Sequence, residues 1–201
     1  MMCHLAEKGV KLGELVGLEV FGGTGTQHTL DYATKIAALD IWEIDPALGK
    51  VLKRNLPTAL VATTDSYEEV VRTSKKYSLI VVDNPMSTYG KWCEHFDLFP
   101  GIFRIAKDTA VLIVAVTPEI DQKVRKSYPY MFNEKQLESR RAFYKTNAPE
   151  RVSLEHMVAI YEEHARNSGF RTDWYFAQKR THMFYLAMSI SKAQQTNAQR
   201  S

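Results

Sequence analysis

Three clusters of residues in this chain have types and spacing suited to holding a polar ligand. Gly22-Gly23-Thr24-Gly25 follows a short apolar run, Leu15–Phe21, and precedes a segment that reads as a helix. Glycines at a strand-to-helix turn let the backbone approach a ligand closely, and the helix start supplies free N–H donors. A tight turn without any ligand is the other reading. Glu43 stands 18 residues after Gly25 at the end of a second strand candidate, where a carboxylate can accept both hydroxyls of a ribose. Glu43 and Asp45 as caps of the next helix is the alternative; Asp45, before Pro46, suits the cap and Glu43 the ligand. Asp65 ends a third strand candidate and either caps the following helix or accepts from an adenine amino group. The three features agree on an adenosine moiety. A dinucleotide fingerprint would need G-x-G-x-x-G, but Gly23-Thr24-Gly25-Thr26-Gln27-His28 puts His28 at the third glycine, which counts against a nicotinamide or flavin cofactor. No G-x-x-x-x-G-K-[ST] occurs, which argues against a nucleotide triphosphatase.

The elements that must position these residues alternate. Apolar runs at Leu15–Phe21, Leu39–Ile44, Ala59–Thr63, Leu79–Val82 and Ala110–Thr117 are separated by helix-like stretches at Gln27–Ala38, Ala47–Asn55, from Ser66, and at Glu94–Ala106, the last interrupted at Pro100-Gly101. Continuous apolar strands between helices predict a parallel sheet covered on both faces. Asp83-Asn84-Pro85 closes the fourth run. Ser153–Ser168 has helical periodicity with Gly169 placed to end it. Trp174–Gln178 and Met183–Ile190 flank a turn at Lys179–His182, short enough to permit only an antiparallel pair. The expected architecture is α/β: a doubly wound, mostly parallel, Rossmann-like sheet with a C-terminal antiparallel hairpin. One domain is expected over 1–191, with a helical insertion or lid at about 119–151 and a disordered tail at 192–201.

The block Glu19-Val20-Phe21-Gly22-Gly23-Thr24-Gly25 resembles motif I of the class I S-adenosylmethionine-dependent methyltransferases, with Phe21 where the first glycine usually sits. The resemblance extends to Glu43, to Asp65-Ser66, to Asp83-Asn84-Pro85 and to the terminal hairpin. It implies that S-adenosylmethionine is the cofactor, that Glu19, Gly23 and Gly25 hold its methionine portion, Glu43 its ribose and Asp65 its adenine, with Phe21 also among the cofactor-binding residues. Asp83 with Asn84 is expected beside the transferred methyl, as hydrogen-bond partner or general base, because the fourth strand is central in this sheet order; a helix cap or loop brace is the alternative. Methyltransferases that act on adenine or cytosine amino groups bear [Asn/Asp/Ser]-Pro-Pro-[Tyr/Phe/Trp] here. Asp83-Asn84-Pro85-Met86 departs from that pattern at the first proline and at the stacking aromatic, with Tyr89 and Trp92 downstream as stand-ins. A non-catalytic cofactor-binding partner or regulatory subunit is the second functional reading.

The segment Gln122–Lys145 carries seven Lys or Arg against two acids, interleaved with Tyr128, Tyr130, Phe132, Phe143 and Tyr144. Charge with rings suits nucleic-acid binding; a solvated helical lid is the alternative. The whole chain, at +3 from 26 bases and 23 acids over 201 residues, neither demands nor excludes a polyanion. Cys3 and Cys93 are too few for a disulfide framework and lack zinc spacing. With no apolar run near ~20 residues and no apolar leader at the start, the reading is a cytoplasmic protein without membrane association. The histidines show no metal-ligand spacing, so no metal is expected; His28, just after the glycine turn, is expected to face solvent, with approach to the ligand as the alternative.

Overall fold

The computed structural model describes residues 1–26, 28–84, 95–127, 129, 133–180 and 183–194. Strands β1 (Val16–Glu19), β2 (Ala38–Glu43), β3 (Leu60–Thr63), β4 (Tyr77–Val82) and β5 (Ala106–Val116) run parallel, and β6 (Phe170–Arg180) and β7 (Met183–Lys192) close the sheet as an antiparallel hairpin. The order across the seven-stranded sheet is β3-β2-β1-β4-β5-β7-β6. This is the doubly wound, mostly parallel arrangement that the apolar runs imply.

Alternation along the central strands feeds two cores. Ile80 and Val82 point to one face with Leu18, Phe99, Met157 and Tyr161. Leu79 and Val81 point to the other with Ile41, Leu52, Tyr32 and Leu5. Helices α4 (Ser66–Arg72), α5 (Phe99–Ile105), α7 (Glu134–Tyr144) and α8 (Leu154–Asn167) contribute to the first core, and α1 (Met2–Glu7), α2 (Thr29–Ala33) and α3 (Pro46–Asn55) to the second. Helix α6 (Gln122–Ser127) precedes α7 in the 119–151 segment. Among the described residues no helix is long and apolar enough to cross a membrane.

Helix starts follow local chemistry. Asp45 caps α3 by accepting from the Ala47 N–H, with Pro46 in the first turn, and Asp65 caps α4 by accepting from the Tyr67 N–H. Gly169, at φ +80°, ends α8. Elsewhere tertiary constraints move the expected boundaries. The helix expected over Gln27–Ala38 covers only Thr29–Ala33, because the chain must turn back by Ala38 to pair with Val16 in the sheet. Nor is α5 interrupted at Pro100-Gly101. Pro100 lies in its first turn, where a missing N–H costs nothing, and a Cβ on Gly101 would stand 3.0 Å from Val70 Cγ1, so this glycine lets α5 approach α4. The hairpin strands are longer than expected, with β6 reaching Arg180 and β7 reaching Lys192; 195–201 of the expected tail lies outside the described residues.

Candidate functional site

The parallel strands all end on one edge of the sheet, and the β1 end is built around the glycine turn. The Gly22 N–H donates to the Trp42 carbonyl at 2.9 Å and the Val20 N–H to Val81 at 3.0 Å, so the turn is anchored to both neighbouring strands. Gly23 and Gly25 have φ of +54° and +67°, which favours glycine at both. Their surroundings differ. A Cβ on Gly25 would stand 2.7 Å from both Leu52 Cδ2 and Leu56 Cδ1, whereas one on Gly23 would meet nothing within 4 Å. Gly25 therefore seats the turn on α3, and Gly23 is the glycine with space beside it for a ligand.

Glu43 joins this turn directly. It is buried at the end of β2, and its Oε2 accepts from the Gly23 N–H at 2.7 Å while its Oε1 accepts from the Asp45 N–H at 2.8 Å. A carboxylate has about four lone-pair sites, so two remain for further donors such as a diol. Asp65 ends the row, half-buried, with Oδ1 accepting from the Tyr67 N–H at 2.9 Å. The capping role is thus the one its geometry displays. Next to it, the Ser66 hydroxyl donates to the Val20 carbonyl and ties α4 to the end of β1. Phe21 is half-buried, its ring 6.1 Å from that of Tyr67.

Glu19 is fully buried and engaged by the chain itself. Its Oε2 accepts from the Thr29 hydroxyl at 3.3 Å and from the Tyr32 hydroxyl, and its Oε1 faces His28 Nε2 at 3.1 Å. The other nitrogen of the same ring, Nδ1, lies 3.0 Å from Asp83 Oδ2, which also accepts from the Tyr185 hydroxyl at 2.9 Å. His28 therefore does not face solvent as expected: its side chain is only 21% exposed, held between two carboxylates. Burial pushes its pKa down, but the hydrogen bonds to Asp83 and Glu19 outweigh this and raise it to about 10. Tyr185 is raised above the ordinary tyrosine range by burial and the Asp83 carboxylate, and so stays a donor.

Sequence reasoning missed Tyr185, and for His28 it favoured the solvent-facing reading over approach to the ligand. Tyr185 reaches the site because β7 runs antiparallel, pairing Tyr185 with Ala115 near the end of β5. A lone tyrosine in a hairpin carries no sequence signal of that placement. For His28 a signal existed, since its position just after the glycine turn brings it back over the strand ends. Asn84 is half-buried beside His95, and Pro85, Met86, Tyr89 and Trp92 lie outside the described residues. Among the described residues no cluster of three His, Cys, Asp or Glu could hold a metal ion.

The basic 122–145 segment is less open than its composition implied. Arg140 is buried, donating from Nε to the Pro149 carbonyl and from Nη2 to the Thr117 carbonyl, both at 2.8 Å. Tyr144 is fully buried, and Phe143 stacks on Phe96 at 4.3 Å. Arg125 pairs with Glu150 at 2.6 Å, and Lys145 pairs with Glu163. Tyr128, Tyr130 and Phe132 lie outside the described residues.

Against solved structures, the chain is similar to a magnesium protoporphyrin IX methyltransferase from Synechocystis PCC 6803 with bound S-adenosylhomocysteine. The TM-score is 0.61 at 15% identity, over 95% of this chain and 79% of that one. It is similar to the N-methyltransferase NodS from Bradyrhizobium japonicum WM9, with TM-score 0.59 at 12% identity over 96% and 94%. It is also similar to TYW2 from M. jannaschii in complex with AdoMet, with TM-score 0.53 at 12% identity over 92% and 72%. The chain has the fold of the class I S-adenosylmethionine-dependent methyltransferases. No protein-family model and no curated protein matches its sequence. Within the methyltransferase fold, the glycine turn, Glu43 and Asp83 occupy the carboxyl edge of β1, β2 and β4, where open α/β sheets take their ligands.

Proposed function

We propose that this chain binds S-adenosylmethionine along the carboxyl ends of β1, β2 and β3 and transfers its methyl group to an acceptor at the end of β4. The observation that carries this reading is the bond of 2.7 Å between the Gly23 N–H and Glu43, beside open space at Gly23. It joins a backbone donor turn and a ribose-type acceptor in one cradle, a donor set that suits adenosine. The bound cofactor supplies a methyl already activated by its sulfonium, so the protein's task is alignment and, for some acceptors, proton removal. Gly23 and Glu43 orient the adenosine side, with Phe21, Gly25 and Asp65 framing it and Glu19 closing the methionine side. Asp83, with Asn84, faces the acceptor as hydrogen-bond partner or base. Nucleic acid bound through 122–145 is one acceptor class to test.

A second reading, a non-catalytic cofactor-binding subunit, is favoured by one observation: Glu19 and Asp83 are both engaged by the chain's own donors. Calorimetry with S-adenosylhomocysteine and with NAD, followed by a methyl-transfer screen against RNA, DNA, protein and metabolite pools, separates these readings. Binding of NAD alone removes the methyltransferase reading, and cofactor binding without transfer to any pool favours the second. In an active enzyme Asp83→Asn should leave S-adenosylmethionine affinity within a few-fold and lower turnover by roughly 10²–10⁴ where it handles a proton. Normal turnover per bound enzyme would make Asp83 structural.

A further inference from the structure

We propose that His28 is a positioning residue of this site, an imidazolium clamped between Glu19 at the end of β1 and Asp83 at the end of β4 that holds the acceptor-side carboxylate in register with the cofactor side. What the two carboxylates serve rests on the methyltransferase reading above. The clamp rests on geometry alone. Both ring nitrogens meet carboxylate oxygens, Nε2 at 3.1 Å from Glu19 and Nδ1 at 3.0 Å from Asp83. A neutral imidazole has one donor and one acceptor, so in that form a lone pair would be set against a carboxylate. Nδ1 also lies 3.2 Å from the Tyr185 hydroxyl, whose single proton is directed to Asp83, so the doubly protonated ring is the form that satisfies both carboxylate contacts at once.

The ring is held in plane by its neighbours. It stacks on Tyr32 from α2 at 6.4 Å and meets Tyr185 from β7 at 5.4 Å. The hydroxyls of these same tyrosines donate to Glu19 and Asp83 respectively, so each carboxylate is braced by the ring and by a phenol. Asp83 Oδ2 meets both the ring nitrogen and the Tyr185 hydroxyl, so a turn of the carboxylate breaks the two contacts together. Other charged groups stand nearby among the described residues. Arg180 on β6 donates to the Tyr185 hydroxyl, and Asp31 and Lys35 on α2 line the cavity of about 190 Å³ that opens beside the ring. Glu19 and Asp83 stand at the ends of hydrogen-bonded neighbouring strands, and without a cation between them the buried Glu19 and half-buried Asp83 carboxylates would repel. His28 is thus the counter-ion that allows an acid at both strand ends.

The test is NMR of the full chain, following the histidine ring nitrogens and the aspartate carboxyl carbons across pH. The His28 ring should stay doubly protonated to beyond about pH 8.5, and Asp83→Asn should lower its titration midpoint by about one pH unit or more. His28→Gln, made at the partly exposed ring, is the reciprocal measurement and should move the Asp83 carboxyl resonance. Saturating S-adenosylmethionine should shift both His28 nitrogens. A His28 midpoint near 6.5, or an Asp83 resonance indifferent to His28→Gln, overturns the clamp. Calorimetric binding of S-adenosylmethionine that leaves the His28 ring unmoved overturns its place in the site. Absence of any such binding instead removes the methyltransferase reading, while the pH titration still decides the clamp.

Discussion

Glu43 joins two functions in one side chain, bracing the glycine turn and offering acceptors to a ribose. A charge-assisted bond to a diol contributes about 1.5–3 kcal/mol, so Glu43→Ala should weaken S-adenosylhomocysteine binding roughly ten- to a hundredfold. Because the Gly23 and Asp45 N–H groups also lose their partner, the ligand-free protein should melt a few degrees lower as well. An unchanged dissociation constant removes Glu43 from the site. Two histidines give the stability a pH profile with opposite signs. His28, raised from 6.5 to about 10, stabilises fully below pH 6.5, and its contribution is lost as pH rises toward 10. His95 is fully buried with its Nε2 2.6 Å from the Tyr161 hydroxyl, and burial, with the Arg140 cation, lowers its pKa to about 3. Its contribution is present above pH 6.5 and lost as pH falls toward 3. Urea midpoints measured across pH should therefore fall in both directions. His28→Gln should flatten the alkaline limb and leave the acid limb in place; an unaltered alkaline limb would show that His28 is not charged in the folded protein.

The turn between β1 and α2 divides its labour between two glycines. At Gly25 an alanine would meet Leu52 and Leu56 at 2.7 Å in a left-handed conformation, combining strain of about 1–2 kcal/mol with overpacking of about 1–3 kcal/mol. Gly25→Ala should lower the melting temperature by roughly 5–15 °C at about 2–4 °C per kcal/mol. Gly23→Ala meets open space, so only the conformational strain of about 1–2 kcal/mol applies. At about 2–4 °C per kcal/mol it should lower the melting temperature by roughly 2–8 °C, less than Gly25→Ala, yet weaken S-adenosylhomocysteine binding, because the added methyl fills the open space beside the turn. Thermal melts and calorimetry on the pair check this, and equal melting temperatures with equal affinities would refute the division.

At the scale of the whole molecule, the described residues of the 119–151 segment are packed into the domain on one side and charged on the other. Arg140 and Tyr144 belong to the packed side, while Lys123, Lys126, Lys135 and Arg141 are exposed. If this surface binds nucleic acid, affinity must fall linearly with log salt, and each lost phosphate contact lowers the slope by about one. Charge reversal at Lys123 and Arg141 should reduce that slope without altering the melting temperature. Arg140→Glu should instead destabilise the fold, since it leaves the Thr117 and Pro149 carbonyls facing a carboxylate. Undetectable binding of RNA and DNA at low salt leaves the segment as a lid.

Much of the sheet was legible because parallel strands buried on both faces must be apolar throughout, and Leu79–Val82 and Ala110–Val116 are. The capping residues Asp45 and Asp65 and the turn at Gly22–Gly25 were legible too, since caps and left-handed turns are local chemistry. Boundaries set by register were not. Nothing in Thr34–Ala37 says that Ala38 must already pair with Val16. The pairing of His28 with Glu19 and Asp83, and the arrival of Tyr185 from the far end of the chain, depend on strand order, which brings residues 28, 83 and 185 within hydrogen-bonding distance. Likewise Arg140, one of the seven basic residues counted in 122–145, is enclosed by packing against the Pro149 and Thr117 carbonyls. Local chemistry is written in adjacent residues, whereas the charge balance of a buried site is decided only when distant carboxylates are forced together by the fold.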